Sequence, residues 1–249
     1  MEKIHHQRRD NRVEQWFKKN PMSSLIELLM VFGSVILIIE LFKPSTHQHP
    51  LRAQAVVWGA NVLMIAMVCL GQWLRGEPLK DLGFAVKTNT FKKILQALMW
   101  SVPVFVTALA AFILASALAP LLFDLPAHTD TSGYNYFKDR PGLLLLSLLG
   151  VYLVSSFGEE LVYRAFLMDR LGRLFKNFRL QKLLMVVFSA IIFGLAHYTW
   201  GLVGVFQTTF MGIALAVFYL ALGRRLIILI MAHVYMDTLL FLSIYFGGA

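Results

Sequence analysis

Long apolar runs dominate the chain, and polar residues are concentrated in the short stretches between them. A helix needs about 20 consecutive apolar residues to cross a bilayer, and runs of about this length recur along most of the sequence. We place them at about 22–43, 53–74, 94–123, 142–168, 183–202, 204–222 and 226–246. The pattern predicts an all-α, polytopic transmembrane bundle of about seven spans.

Composition excludes a soluble domain. Hydrophobic residues fill 58% of the 249 positions and charged residues only 15%, and the mean hydropathy is +0.66. A soluble protein of this length would need more charge to cover its surface. The third run is long and contains Pro103, which predicts a kink or a partly interfacial segment. We divide the chain into a basic cytoplasmic tail, 1–21, and a single transmembrane domain, 22–249.

Basic residues predict the orientation. Most of the 23 Lys and Arg residues lie in the tail, in the segments 75–93 and 169–182, and in the turn 223–225. These four regions share one side if seven spans alternate, and cytoplasmic loops carry the excess of Lys and Arg. We therefore place the N-terminus in the cytoplasm and the connector 124–141 outside. The net charge of +9 then reflects topology and attraction to anionic lipid. It does not indicate nucleic-acid binding, because no basic stripe alternates with base-stacking aromatics.

Ionisable residues inside the predicted spans are the candidate functional groups, because such residues are costly in lipid and face the bundle interior or a wet cavity. At 1.5 Å per residue, Glu159, His197 and Asp237 lie roughly 15, 21 and 16 Å from the cytoplasmic ends of their helices. Glu27 and Glu40 lie near span ends, which favours structural roles. The groups sharing one layer, which define a predicted catalytic core at about 142–246, are Glu159, Glu160, Arg164, His197, His233 and Asp237.

Helical spacing separates the roles within this set. Glu160 and Arg164 are four residues apart, in the favourable order for an ion pair on one helix face. Glu159 points about 100° away from Glu160 and is left for another purpose. His233 and Asp237 are also four residues apart, so they share one face of the last helix.

Three short motifs resemble the CAAX protease and bacteriocin-processing family of intramembrane endopeptidases, which is related to the type II CAAX prenyl endopeptidases. They are EELVYR (Glu159 to Arg164), FGLAH (Phe193 to His197) and HVYMD (His233 to Asp237). The resemblance implies an intramembrane endopeptidase in a bacterial or archaeal plasma membrane, acting on a peptide or a prenylated protein. Ala165 and Asp237 depart from the family pattern, where glycine and asparagine are commoner.

The same residues suggest how a peptide bond would be hydrolysed. No covalent nucleophile is evident, since Cys69 has no partner motif and no G-x-S-x-G elbow occurs. Glu159 would act as the general base on water, with His197 holding the same water. His233 and Asp237 would face the scissile carbonyl as donors. We expect no cofactor and assign a glutamic-type protease whose site opens toward the cytoplasm.

Two other interpretations stay open at this point. Zinc held by Glu159, His197 and His233 is chemically plausible, although no H-E-x-x-H motif is present. A catalytically silent immunity or scaffold protein, or a proton-linked transporter, would also contain intramembrane charges. Transporters more often have repeated halves and broken spans, which this sequence lacks.

Overall fold

The computed structural model describes residues 12–20, 22–46, 49–83, 90–123 and 129–247, and within these ranges the chain forms only helices and turns. Residues 1–11 of the predicted tail lie outside them. Short turns occur at Leu79–Leu82, Ser132–Phe137 and Tyr198–Trp200. The all-α class is confirmed. The helices are α1 (Arg12–Lys19), α2 (Met22–Thr46), α3 (Pro50–Leu74), α4 (Thr90–Phe123), α5 (Pro141–Leu174), α6 (Gln181–Leu195), α7 (Gly201–Ala221) and α8 (Leu226–Tyr245).

Six of the described helices are long and apolar enough to cross a membrane, and α6 is a shorter apolar helix. The predicted fifth span, 183–202, is therefore too long. Its helix ends at Leu195, where the Nδ1 atom of His197 bonds the carbonyl of Phe193 at 2.9 Å. Gly201, with a φ of 79°, then allows the tight reversal into α7, because glycine adopts positive φ at little cost.

Proline and packing explain the other boundaries. Pro50 and Pro141 stand in the first turn of α3 and α5, where a missing backbone N–H costs nothing. The helix α4 continues through both Pro103 and Pro120 and is 34 residues long. In the bundle, α6 packs on α7, α7 on α4, α4 on α8, and α2 on α3.

The centre of α5 is fully enclosed by the rest of the described chain. Every residue from Glu160 to Met168 is buried. Two stretches of α5, Val151–Ser156 and Glu160–Leu167, are π-helical, whereas the sequence predicted a regular helix. Such wider turns are rare and occur frequently at functional sites. Glu160 therefore lies in a π-helical, fully buried stretch, and the partly buried Glu159 directly precedes it.

A buried ionic network fixes the end of α5 that leads into the 169–182 segment. Glu27 of α2 accepts a hydrogen bond from Arg75 at 2.7 Å and another from the Nε of Arg170. Gln72 of α3 accepts a bond from Arg170 at 2.8 Å. Two of the basic residues that predicted the orientation are thus buried against a carboxylate, as a charge inside a protein requires. The structural interpretation of Glu27 is confirmed.

Candidate active site

The predicted pair on α5 is present and lies in a dry environment. The Nε atom of Arg164 is 3.4 Å from Oε2 of Glu160, and both side chains have no solvent-exposed surface. The guanidinium carbon of Arg164 lies 4.2 Å from the centre of the Phe193 ring. A cation over an aromatic face is stabilised by the ring quadrupole. Arg164 is thus neutralised by Glu160 on one side and covered by Phe193.

Glu160 has a second partner that the spacing along α5 could not reveal. Its Oε1 atom lies 2.9 Å from Nδ1 of His233, on the facing helix α8. A carboxylate can only accept, so Nδ1 carries the hydrogen in this contact. The other ring nitrogen, Nε2, then points away from Glu160. This fixes the ring orientation, as an acidic partner commonly does for a functional histidine.

The outward nitrogen of His233 faces the two remaining carboxylates. Nε2 lies 3.9 Å from Oε2 of Glu159 and 3.8 Å from Oδ2 of Asp237. Both distances are too long for a direct hydrogen bond. Among the described residues, Oε2 of Glu159 is buried without a hydrogen-bond partner. An unpaired buried oxygen is uncommon in a folded protein and calls for an explanation.

Asp237 is held by a residue that the sequence analysis did not select. The hydroxyl of Ser156 donates a hydrogen bond of 2.6 Å to Oδ2 of Asp237. Ser156 precedes Glu160 by four residues, so both point from α5 toward α8. The four-residue spacing from Glu160 could have indicated Ser156 from the sequence. It is a weak indication by itself, because serine is common in apolar helices and its partner lies on another helix.

His197 reaches the same region from the turn after α6. Its ring centre lies 4.8 Å from that of Phe193 and 5.0 Å from that of Trp200. Phe193 also packs against His233, with ring centres 6.2 Å apart. Since Nδ1 of His197 bonds the carbonyl of Phe193, Nε2 is its basic nitrogen. Within the described chain, no ion pair joins His197 to Glu159; the two histidines are linked through the Phe193 ring.

The predicted zinc ligands do not form a metal site as they are placed. No group of three His, Cys, Asp or Glu side chains within the described ranges has an arrangement that could hold a metal ion. His197 is turned toward Phe193, and one nitrogen of His233 is engaged by Glu160. Zinc dependence stays a prediction for experiment.

Comparison with known proteins gives one match. No curated protein and no solved structure matches the chain. The model of a family described as type II CAAX prenyl endopeptidase Rce1-like matches residues 141–239. That range begins with α5 and extends two residues past Asp237, so it contains all six predicted site residues. This match agrees with the family suggested by the three motifs: the segment that carries this site is similar to the Rce1-like type II CAAX prenyl endopeptidases.

Proposed function

We propose that the protein is an intramembrane endopeptidase in which Glu159 activates the water that cleaves the peptide bond. One observation carries this proposal. Oε2 of Glu159 is buried and has no hydrogen-bond partner among the described residues, yet it lies 3.9 Å from a ring nitrogen of His233. Two polar atoms at such a separation can be bridged by a water molecule that hydrogen-bonds to both.

The proposed reaction needs no covalent intermediate. Glu159 takes a proton from water as the water oxygen bonds the carbonyl carbon of the substrate, and the carbonyl oxygen becomes negative. The carbon–nitrogen bond then breaks, and the departing amine receives the proton that Glu159 had taken. One water is consumed, and the carboxylate is restored.

His233 is suited to stabilise the negative oxygen. Glu160 holds its Nδ1 at 2.9 Å, so a protonated His233 presents Nε2–H toward the space between Glu159 and Asp237. A preorganised donor in a water-poor site stabilises developing charge strongly, because no reorientation is required. Arg164 balances the charge of Glu160, which would otherwise be buried alone beside His233.

The other two site residues act around this centre. Asp237 lies 3.8 Å from Nε2 of His233, where its charge favours the protonated ring, and Ser156 fixes its carboxylate. The Nε2 atom of His197 is free to accept, because Nδ1 bonds the carbonyl of Phe193, and His197 is proposed to hold the attacking water. These roles make Ser156 a positioning residue and keep Glu159 as the base.

The substrate class follows from the family and from the location of the site. A CAAX sequence consists of a cysteine, which carries the prenyl chain, and the three residues that follow it at the C-terminus of the substrate. The prenyl group would lie among the apolar helices while the peptide reaches the buried carboxylates. We propose a prenylated peptide or protein as the substrate, cleaved after the modified cysteine.

A purified protein assay tests this function. The wild type, in detergent or liposomes, should release the C-terminal tripeptide from a farnesylated CAAX peptide, and the same peptide without farnesyl should be cleaved more slowly. Glu159→Gln should abolish release while its thermal unfolding temperature stays near that of the wild type. A cleaving Glu159→Gln variant would refute the proposed base.

The metal interpretation is tested in the same assay. A strong chelator should leave the wild-type rate unchanged if Glu159 acts directly on water. Loss of activity that is restored by added zinc would instead favour the ligand set Glu159, His197 and His233.

A further inference from the structure

The connector that precedes α5 is folded onto the bundle, although its sequence is polar and rich in turn residues. Phe137 is fully buried and packs on Phe241, with ring centres 5.0 Å apart. The Tyr136 hydroxyl lies 3.0 Å from that of Ser147 in α5. The N–H of Asp130 donates to the carbonyl of Trp200 at 3.4 Å. We call residues 129–140 the connector cap, because they close one end of the bundle.

Tyr134 is a residue of the connector cap that packs against neighbours of two site residues. Its ring centre is 6.2 Å from that of Trp200, edge to face, and 5.3 Å from that of Phe241. Trp200 in turn packs on His197 at 5.0 Å. Phe241 follows Asp237 by four residues, on the same face of α8. Tyr134 therefore sits where the His197 turn meets the helix face that carries Asp237.

The surroundings of Tyr134 keep its hydroxyl protonated. Burial raises the pKa of Tyr134, and the nearby carboxyl groups of Asp237 and Glu159 add to the rise, whereas a hydrogen bond with Trp200 opposes it. A phenol that keeps its proton at neutral pH is available as a hydrogen-bond donor. The hydroxyl is thus a neutral donor within electrostatic range of two site carboxylates.

The site is short of donors where a substrate carbonyl would lie. Three of the six site residues are carboxylates, and an ionised carboxylate only accepts. Asp237 already accepts from Ser156, and the Nδ1 hydrogen of His233 is used by Glu160. Apart from the guanidinium of Arg164, which is enclosed between Glu160 and Phe193, Nε2 of a protonated His233 is the donor that remains among the six site residues. A negative tetrahedral oxygen is usually held by a set of preorganised donors rather than one.

We propose that Tyr134 is a further catalytic residue, whose hydroxyl donates a hydrogen bond to the oxygen of the scissile carbonyl beside His233. The proposal rests on the proposed function, because it assigns the second donor of that reaction. It also explains why a loop residue outside the spans is packed between Trp200 and Phe241. Tyr134 forms no covalent bond in the reaction and returns to its starting state.

Tyr134→Phe is the decisive variant, and Tyr136→Phe is its matched control. Both remove one phenolic oxygen from the same turn, but the hydroxyl of Tyr136 contacts Ser147. With the farnesylated CAAX peptide, Tyr134→Phe should lower kcat by about 100-fold, the range found when one oxyanion donor is removed. KM should change by less than about twofold, since the bond strengthens only in the transition state. Tyr136→Phe should keep the wild-type kcat.

Three results would overturn the inference. One is a kcat within about twofold of wild type for Tyr134→Phe; another is a rise in KM alone, which would indicate ground-state binding. The third is that Tyr134→Phe and Tyr136→Phe lower the thermal unfolding temperature equally and lose activity equally, which would indicate a role in packing.

Glu159→Gln separates the two proposals. If it is inactive while Tyr134→Phe is fully active, only the inference about Tyr134 fails, whereas an active Glu159→Gln removes the proposed reaction itself.

Discussion

Nδ1 of His233 lies 2.9 Å from Oε1 of Glu160, and the same carboxylate lies 3.4 Å from Nε of Arg164. One buried carboxylate therefore joins the imidazole of α8 to the guanidinium of α5. The two neighbouring glutamates have different surroundings as a result. Glu160 has a charged partner on each side, and Glu159 has an oxygen without a hydrogen-bond partner among the described residues, 3.9 Å from Nε2 of His233.

Glu160→Gln should lower stability as well as activity. The substitution strands Arg164 in a dry site, and breaking a buried pair typically costs about 3–5 kcal/mol. Glu14→Gln is the matched control, since Glu14 and Lys18 form a more exposed pair with the same four-residue separation. Such a pair contributes about 1 kcal/mol or less. Chemical unfolding in mixed micelles measures both losses, and equal losses would contradict the assignment of Glu160 as a buried support.

Ser156→Ala should reduce kcat without unfolding the protein. It removes the hydrogen bond to Asp237, and a hydrogen bond to a charged group is worth about 1.5–3 kcal/mol. We expect a fall of about tenfold, which corresponds to about 1.4 kcal/mol. Ser155→Ala removes the same hydroxyl one residue away and should leave kcat near the wild-type value. A Ser155 variant as slow as the Ser156 variant would argue for a general effect on α5.

Asp237→Asn should be weakened but measurably active. Asparagine can still accept from Ser156, but it lacks the charge that favours protonated His233 at 3.8 Å. The difference between charged and neutral hydrogen bonds is about 1 kcal/mol, or roughly five- to tenfold in rate. Asp237→Leu removes the acceptor too and should be far slower in the peptide-cleavage assay. If the asparagine variant were as inactive as the leucine variant, the carboxylate would have a more direct role, such as binding a metal.

Cysteine labelling in a Cys69→Ser background should reveal the orientation. Lys176 and Asn135 are exposed and lie just beyond opposite ends of α5. A single cysteine at each position therefore reports one side of the membrane. We expect Lys176→Cys to react only after the inner face is made accessible, and Asn135→Cys to react in intact cells. The reverse labelling would overturn the positive-inside assignment and place the connector cap in the cytoplasm.

Local spacing predicted the parts of the site that lie within one helix. The Glu160–Arg164 pair follows from a four-residue separation, and the structure contains it. The common depth of Glu159, His233 and Asp237 was also foreseeable, because each helix rises by a fixed amount per residue.

Contacts between elements were beyond that reasoning. Which carboxylate His233 would bond depends on how α8 turns against α5, and periodicity within one helix does not contain this information. Ser156 and Tyr134 were missed for the same reason, since each contacts a residue that is far away in the sequence. The end of α6 was misplaced because residues 196–200 contain no Asp, Glu, Lys or Arg that would interrupt a predicted span, whereas His197 and Gly201 terminate the helix locally.

The short length of α6 has a consequence for how water would reach the proposed reaction inside a lipid bilayer. Its 15 residues rise by roughly 22 Å, against roughly 30 Å for the hydrocarbon core of a bilayer. A helix of this length that begins at one edge of the hydrocarbon core ends within the depth of the lipid tails, where irregular backbone is tolerated only next to protein or water. In the proposed reaction, the polar groups of the His197 turn would then hold water inside the membrane, and the shortness of α6 would reduce the distance that each reacting water molecule must travel.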